Sequence, residues 1–181
     1  MEIEKLENIE KNANMLIIGK RGIGKTSFII SLLQGKKYSQ GNIFCLDHEN
    51  DRYKDGLPLS KLNFYNELTE KTLNDIITKC TDSSFIVIED SFNIKDINLN
   101  YLETFKKHNI TLIAITQYMC INIFDYIVLF KTTNMSNIRE IYKKIDTKMT
   151  FENFEKTMNE LDRYSPLIYN KVDEDVHWYK I

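Results

Sequence analysis

Short apolar runs recur along the chain, separated by charged and amide-rich stretches. Residues 15–18 predict a buried strand, and residues 26–34 a helix capped by Gly35. A second strand is expected over 43–46. Residues 68–80 predict a helix with Leu73, Ile76 and Ile77 on one face. Residues 85–88 read as a third strand, 101–107 as the end of a helix, 111–116 as a fourth strand and 126–130 as a fifth. The runs 167–169 and 176–179 flank "NKVDED" and predict a hairpin packed on the sheet. Short apolar strands alternating with helices imply an α/β fold, its mostly parallel sheet covered on both faces.

The 181 residues, 43% of them hydrophobic, suffice for one sizeable core, so 1–181 reads as a single domain. The formal net charge of -2 excludes a global basic field, and any DNA contact must be local. Cys45, Cys80 and Cys120 are odd in number and far apart, which argues against a disulfide framework and for a reducing compartment. Cys45 and His48 have metal-like spacing, but no second pair completes a zinc site. The N-terminal "MEIEKLENIEKN" lacks the apolar core of a leader. No apolar run approaches the ~20 residues of a spanning helix, so a soluble protein without a membrane partner is expected.

The stretch "LIIGKRGIGKTSFII" carries the main chemistry. Gly19, Gly24, Lys25 and Thr26 satisfy G-x-x-x-x-G-K-[ST], with a strand before and a helix after. Glycines let the backbone aim several N–H groups at one phosphate, and the helix directs its positive end to the same place. Lys25 adds a charge for the β- and γ-phosphates, and Thr26 offers a hydroxyl to Mg²⁺. The nucleotide-binding candidates are therefore Gly19, Lys20, Arg21, Gly22, Ile23, Gly24, Lys25, Thr26 and Ser27. The implied cofactors are ATP and Mg²⁺.

"FIVIEDSF" ends an apolar strand with two carboxylates, where ligands bind in open α/β sheets. By position Glu89 should serve the metal with Thr26, and Asp90 should orient the attacking water; an exchange of roles stays open. In "TLIAITQY", Gln117 follows a buried strand, where an amide can touch the γ-phosphate or its water. "NKVD", residues 170–173, spells a guanine-reading signature, but no D-x-x-G precedes it and no strand and helix can follow it. It reads as a turn.

In this order the motifs resemble the virion DNA-packaging ATPases of large DNA viruses, the poxvirus type within the FtsK–HerA superfamily of P-loop NTPases. The resemblance rests on "IIGKRGIGKT", "HNITLIAITQY", "FDYIVLF", "NIREIYKKI" and "VHWYKI" and covers most of the chain. Two positions depart from it. Glu89 stands where the family's acidic pair begins with Asp, and Lys107 stands in place of an Arg. The chain is short, so any added DNA-binding or capsid-docking segment is expected to be minimal.

The resemblance implies an ASCE-type ATPase with its sensor strand between the phosphate-loop and acidic strands. It further implies a homo-oligomeric ring, a pentamer or hexamer, that moves double-stranded DNA into a preformed capsid. Capsid or portal-vertex proteins would be its docking partners, and the viral factory in the host cytoplasm, or the virion, its location. Phosphoryl transfer spreads charge over three equatorial oxygens, and an arginine from a neighbouring subunit is the usual completion. Of Arg21, Arg52, Arg139 and Arg163, Arg139 is the candidate, because it opens the basic helix after the fifth strand. Lys36 with Lys37, Lys106 with Lys107 and Lys143 with Lys144 are candidate DNA steps, though each pair reads first as a solvated face. A capsid-independent translocase of the same superfamily and a nucleotide-dependent switch remain as alternatives. A small-molecule kinase would need a lid, and no lid signature occurs.

Overall fold

The computed structural model describes residues 12–36, 38–46, 50–57, 60–80, 83–92, 97, 99–116, 124–145, 147–171 and the backbone of 175–178. Eight strands form one sheet among these: β1 (Met15–Ile18), β2 (Gln40–Phe44), β3 (Leu62–Tyr65), β4 (Ser84–Ile88), β5 (Ile110–Thr116), β6 (Tyr126–Leu129), β7 (Leu167–Asn170) and β8 (Asp175–Trp178). Their spatial order is β3-β2-β4-β5-β1-β6-β7-β8. The first six are parallel in that order, while β7 runs antiparallel to β6 and β8 antiparallel to β7. This is the expected α/β architecture, ending in the expected antiparallel pair. β5 lies between β1 and β4, the strand order that the resemblance implies.

Alternating strand residues serve two cores. Leu16, Ile18, Ile86, Ile88, Leu112 and Ala114 face one side. They meet apolar residues of α3 (Glu70–Lys79), α4 (Leu99–Lys107), α5 (Met135–Lys144) and α6 (Phe151–Glu160) there. Met15, Ile17, Ile43, Val87, Ile113 and Ile115 face the other side, against Phe28, Ile29, Leu32 and Leu33 of α1 (Lys25–Gln34) and Tyr53 of α2 (Asn50–Gly56). With both faces covered, the strands read as continuous apolar runs. Side-chain oxygens cap three helices: Thr69 accepts from Thr72 N, Asn134 from Ser136 N and Asn137 N, and Thr150 from Asn153 N. No helix among the described residues is long and apolar enough to cross a membrane.

Two expectations need correction. The second strand spans Gln40–Phe44 rather than 43–46, and Leu46 lies beyond it. Its polar start hides it from an apolar-run reading. Buried Asn42 is accommodated by hydrogen bonds to Phe85 O and from Asn63 Nδ2 and Tyr65 OH. Gly35 caps α1 as expected, with φ -69°. "NKVD" begins inside a strand: Asn170 is the last residue of β7 and pairs with Tyr126 at the amino end of β6. Asp173 lies outside the described residues. α2, β3 and α6 are elements that the sequence pattern did not reveal.

Candidate functional site

β1 delivers the chain to Gly19 at the carboxyl end of the sheet. A Cβ on Gly19 would stand 2.8 Å from Phe130 Cβ, so only glycine lets the loop pass the tip of β6. Gly24 is the N-cap of α1 with φ 102°, a left-handed conformation that side chains resist. The first turn of α1 holds no acidic residue of its own to offset the positive end of the helix. Lys25 is buried, and its Nζ donates to Gly19 O at 2.7 Å and Lys20 O at 2.9 Å. These bonds draw the loop into a ring around the ammonium group.

The acidic pair divides by environment. Glu89 N donates to Phe44 O at 2.9 Å, which extends the parallel ladder by one residue and fixes the direction of the side chain. Glu89 is only 8% exposed, and its Oε1 accepts a hydrogen bond from Tyr53 OH. Tyr53 is wholly buried and lies beside the Thr26 side chain. Burial first, and then the negative charge of Glu89, push the Tyr53 hydroxyl well above its ordinary pKa. It keeps its proton and remains a donor. Thr26 and Glu89, the predicted metal pair, therefore flank one phenol. Asp90 starts a turn closed by Phe92 N to Glu89 O at 3.0 Å, and it is half-buried at the cleft wall.

These groups meet in a cleft of about 840 Å³. Arg21, Gly22, Gly24, Lys25, Thr26, Ser27, Glu89 and Asp90 line it, together with Arg52, Asp55 and Tyr164. Thr26 and Glu89 supply the hard oxygen donors that Mg²⁺ takes. Among the described residues no group of three or more His, Cys, Asp or Glu could hold a metal by itself, but Mg²⁺ at a nucleotide needs only one or two protein oxygens beside phosphates and water.

Sequence reasoning missed four side chains here. Tyr53 and Arg52 come from α2, which itself went unrecognised. Arg163 and Tyr164 lie between α6 and β7, and Arg163 Nη2 donates to Gly22 O at 3.1 Å across 141 positions of chain. No local pattern marks a contact of that separation. Arg139 lies exposed in the middle of α5 rather than at its start, and it is not among the cleft-lining residues. Gln117, His48, Lys37 and Cys120 fall outside the described residues. Cys45 donates its thiol to Asn50 Oδ1 at 2.9 Å. Lys106, a candidate DNA step, is paired with Asp125 at 2.6 Å.

The fold is similar to that of the genome packaging NTPase B204 from Sulfolobus turreted icosahedral virus 2. In its complex with ATP-gammaS the TM-score is 0.71 at 18% identity, over 95% of this chain and 98% of that one. In its complex with AMPPCP the values are 0.69 and 16%, over 94% and 98%. No family model matches the sequence, and no curated protein matches it. The likeness establishes the P-loop NTPase fold along almost the whole chain and does not single out the poxvirus type.

Proposed function

We propose that this protein binds Mg-ATP in the cleft, hydrolyses it, and uses the hydrolysis to drive double-stranded DNA into a preformed capsid. The observation that carries the nucleotide reading is the convergence of Lys25, Thr26, Glu89 and Asp90 on one cleft at the carboxyl end of a parallel sheet. The packaging reading is supported by the end-to-end likeness to a protein described as a genome packaging NTPase, together with the order of the motifs.

In this reading the N–H groups of the loop and the ammonium of Lys25 hold the phosphates. Thr26 and Glu89 would hold Mg²⁺, which offsets the negative charge of the phosphate oxygens. Asp90 orients a water whose oxygen attacks the γ-phosphorus. The proton of that water passes to the Asp90 carboxylate as the bond to the β-phosphate oxygen breaks and ADP departs. Gln117 reports the loss of the γ-phosphate, and Arg139 reaches the site of a neighbouring subunit in a ring of five or six. The ring docks on capsid or portal-vertex proteins, in the viral factory of the host cytoplasm or in the virion.

The test is Mg²⁺-dependent ATP hydrolysis measured with and without double-stranded DNA, alongside co-sedimentation with empty capsids. DNA-stimulated turnover and capsid association are the expected results. Stimulation without capsid association would favour a capsid-independent translocase. Nucleotide binding that DNA leaves unaffected would favour a switch.

A further inference from the structure

Among the described residues two large hydrophobic side chains are exposed, Leu46 at 44% and Tyr164 at 54%, and both line the cleft. Tyr164 is the aromatic one. It sits just before β7, whose first residue, Leu167, pairs with Leu129 at the carboxyl end of β6. There the ring rests on the phosphate loop: a Cβ on Gly24 would stand 2.7 Å from Tyr164 Cδ1. Arg163 holds the segment down through its 3.1 Å bond to Gly22 O, and its guanidinium lies 5.4 Å from the centre of the Tyr164 ring.

A half-exposed ring beside a phosphate-binding loop has a chemical use. Phosphates held at the start of α1 leave the sugar and base to extend along the cleft wall. A flat aromatic surface there offers the base a stacking partner without reading its hydrogen-bonding edge. We propose that Tyr164 is the stacking platform for the nucleobase of the bound nucleotide, favouring purines for their larger face. This rests on the nucleotide reading of the cleft.

The test compares the affinities of ATP and inorganic tripolyphosphate, both with Mg²⁺, for the wild-type chain, Tyr164→Ala and Tyr164→Phe. Tyr164→Ala is expected to weaken ATP by about tenfold and to leave tripolyphosphate unchanged, while Tyr164→Phe retains both affinities. Equal weakening of ATP and tripolyphosphate would overturn the proposal, because Tyr164 would then only support the loop. Unchanged ATP affinity in Tyr164→Ala would overturn it as well, with the nucleotide reading intact. A wild-type chain that binds neither probe would overturn the nucleotide reading itself, and the platform with it.

Discussion

The two ends of β1 carry charge in opposite ways. At the amino end, Asp125 accepts from Asn14 N at 2.8 Å and pairs with Lys106 at 2.6 Å. Its own backbone N donates to Asn14 O, and its carbonyl accepts from Lys171 N. One carboxylate residue thus ties β1 to β6, α4 and the end of β7. At the carboxyl end, the cations Lys25 and Arg163 donate to loop carbonyls at Gly19, Lys20 and Gly22. The carbonyl bonds orient both cations over the loop, beside the carboxylates of Glu89 and Asp90 that line the same cleft. The amino end ties strands together, and the carboxyl end gathers the candidate site's side chains around a cleft.

The largest expected effect would extend the carboxyl-end chemistry across a subunit boundary. Arg139→Ala should lower hydrolysis by roughly 10³–10⁵, and mixing it with Lys25→Ala subunits should restore part of the activity. Mixed rings that stay inactive would confine the chemistry to one subunit. Next, Asp90→Asn should slow cleavage by about 10²–10⁴ while ATP still binds, as single-turnover and binding assays would show. Glu89→Gln should instead raise the Mg²⁺ concentration needed, and a reversed pattern would exchange the two roles.

Lys25→Ala should lower hydrolysis by about 10²–10³ with little change in thermal melting, since its hydrogen bonds serve the loop rather than the core. Near-normal turnover in a folded variant would remove Lys25 from the site. The smallest effect on activity belongs to the opposite end. Asp125→Ala leaves the buried Asn14 N–H without its acceptor, which should cost about 1–3 kcal/mol of stability in denaturant unfolding. ATP affinity should not change. Loss of affinity at that end would show that the two ends are coupled through β1 and would break the comparison.

Much of this division was legible in the chain. The phosphate loop is contiguous, so its glycine spacing, lysine and hydroxyl stand side by side in the sequence. β1 spans the predicted residues, and the cores of β4, β5 and β6 fall within a residue of expectation, because strands buried on both faces leave unbroken apolar runs. β2 was displaced because its buried Asn42 takes its partners from β3 and β4, which no local pattern can show.

By itself the sequence determined that this chain would form a covered parallel sheet with a glycine-spaced, lysine-bearing loop at the head of its first helix. Apolar periodicity and glycine spacing are local properties, and they act before any distant contact forms. Only the tertiary structure decided which residues complete the site. It bonded Tyr53 to Glu89 beside Thr26 and turned Glu89 inward while Asp90 stayed at the wall. It brought Arg163 and Tyr164 over the loop by pairing β7 antiparallel to β6. The physical reason is that strand order and register choose neighbours across the whole chain, and a contact between distant residues leaves no mark in the spacing of either one.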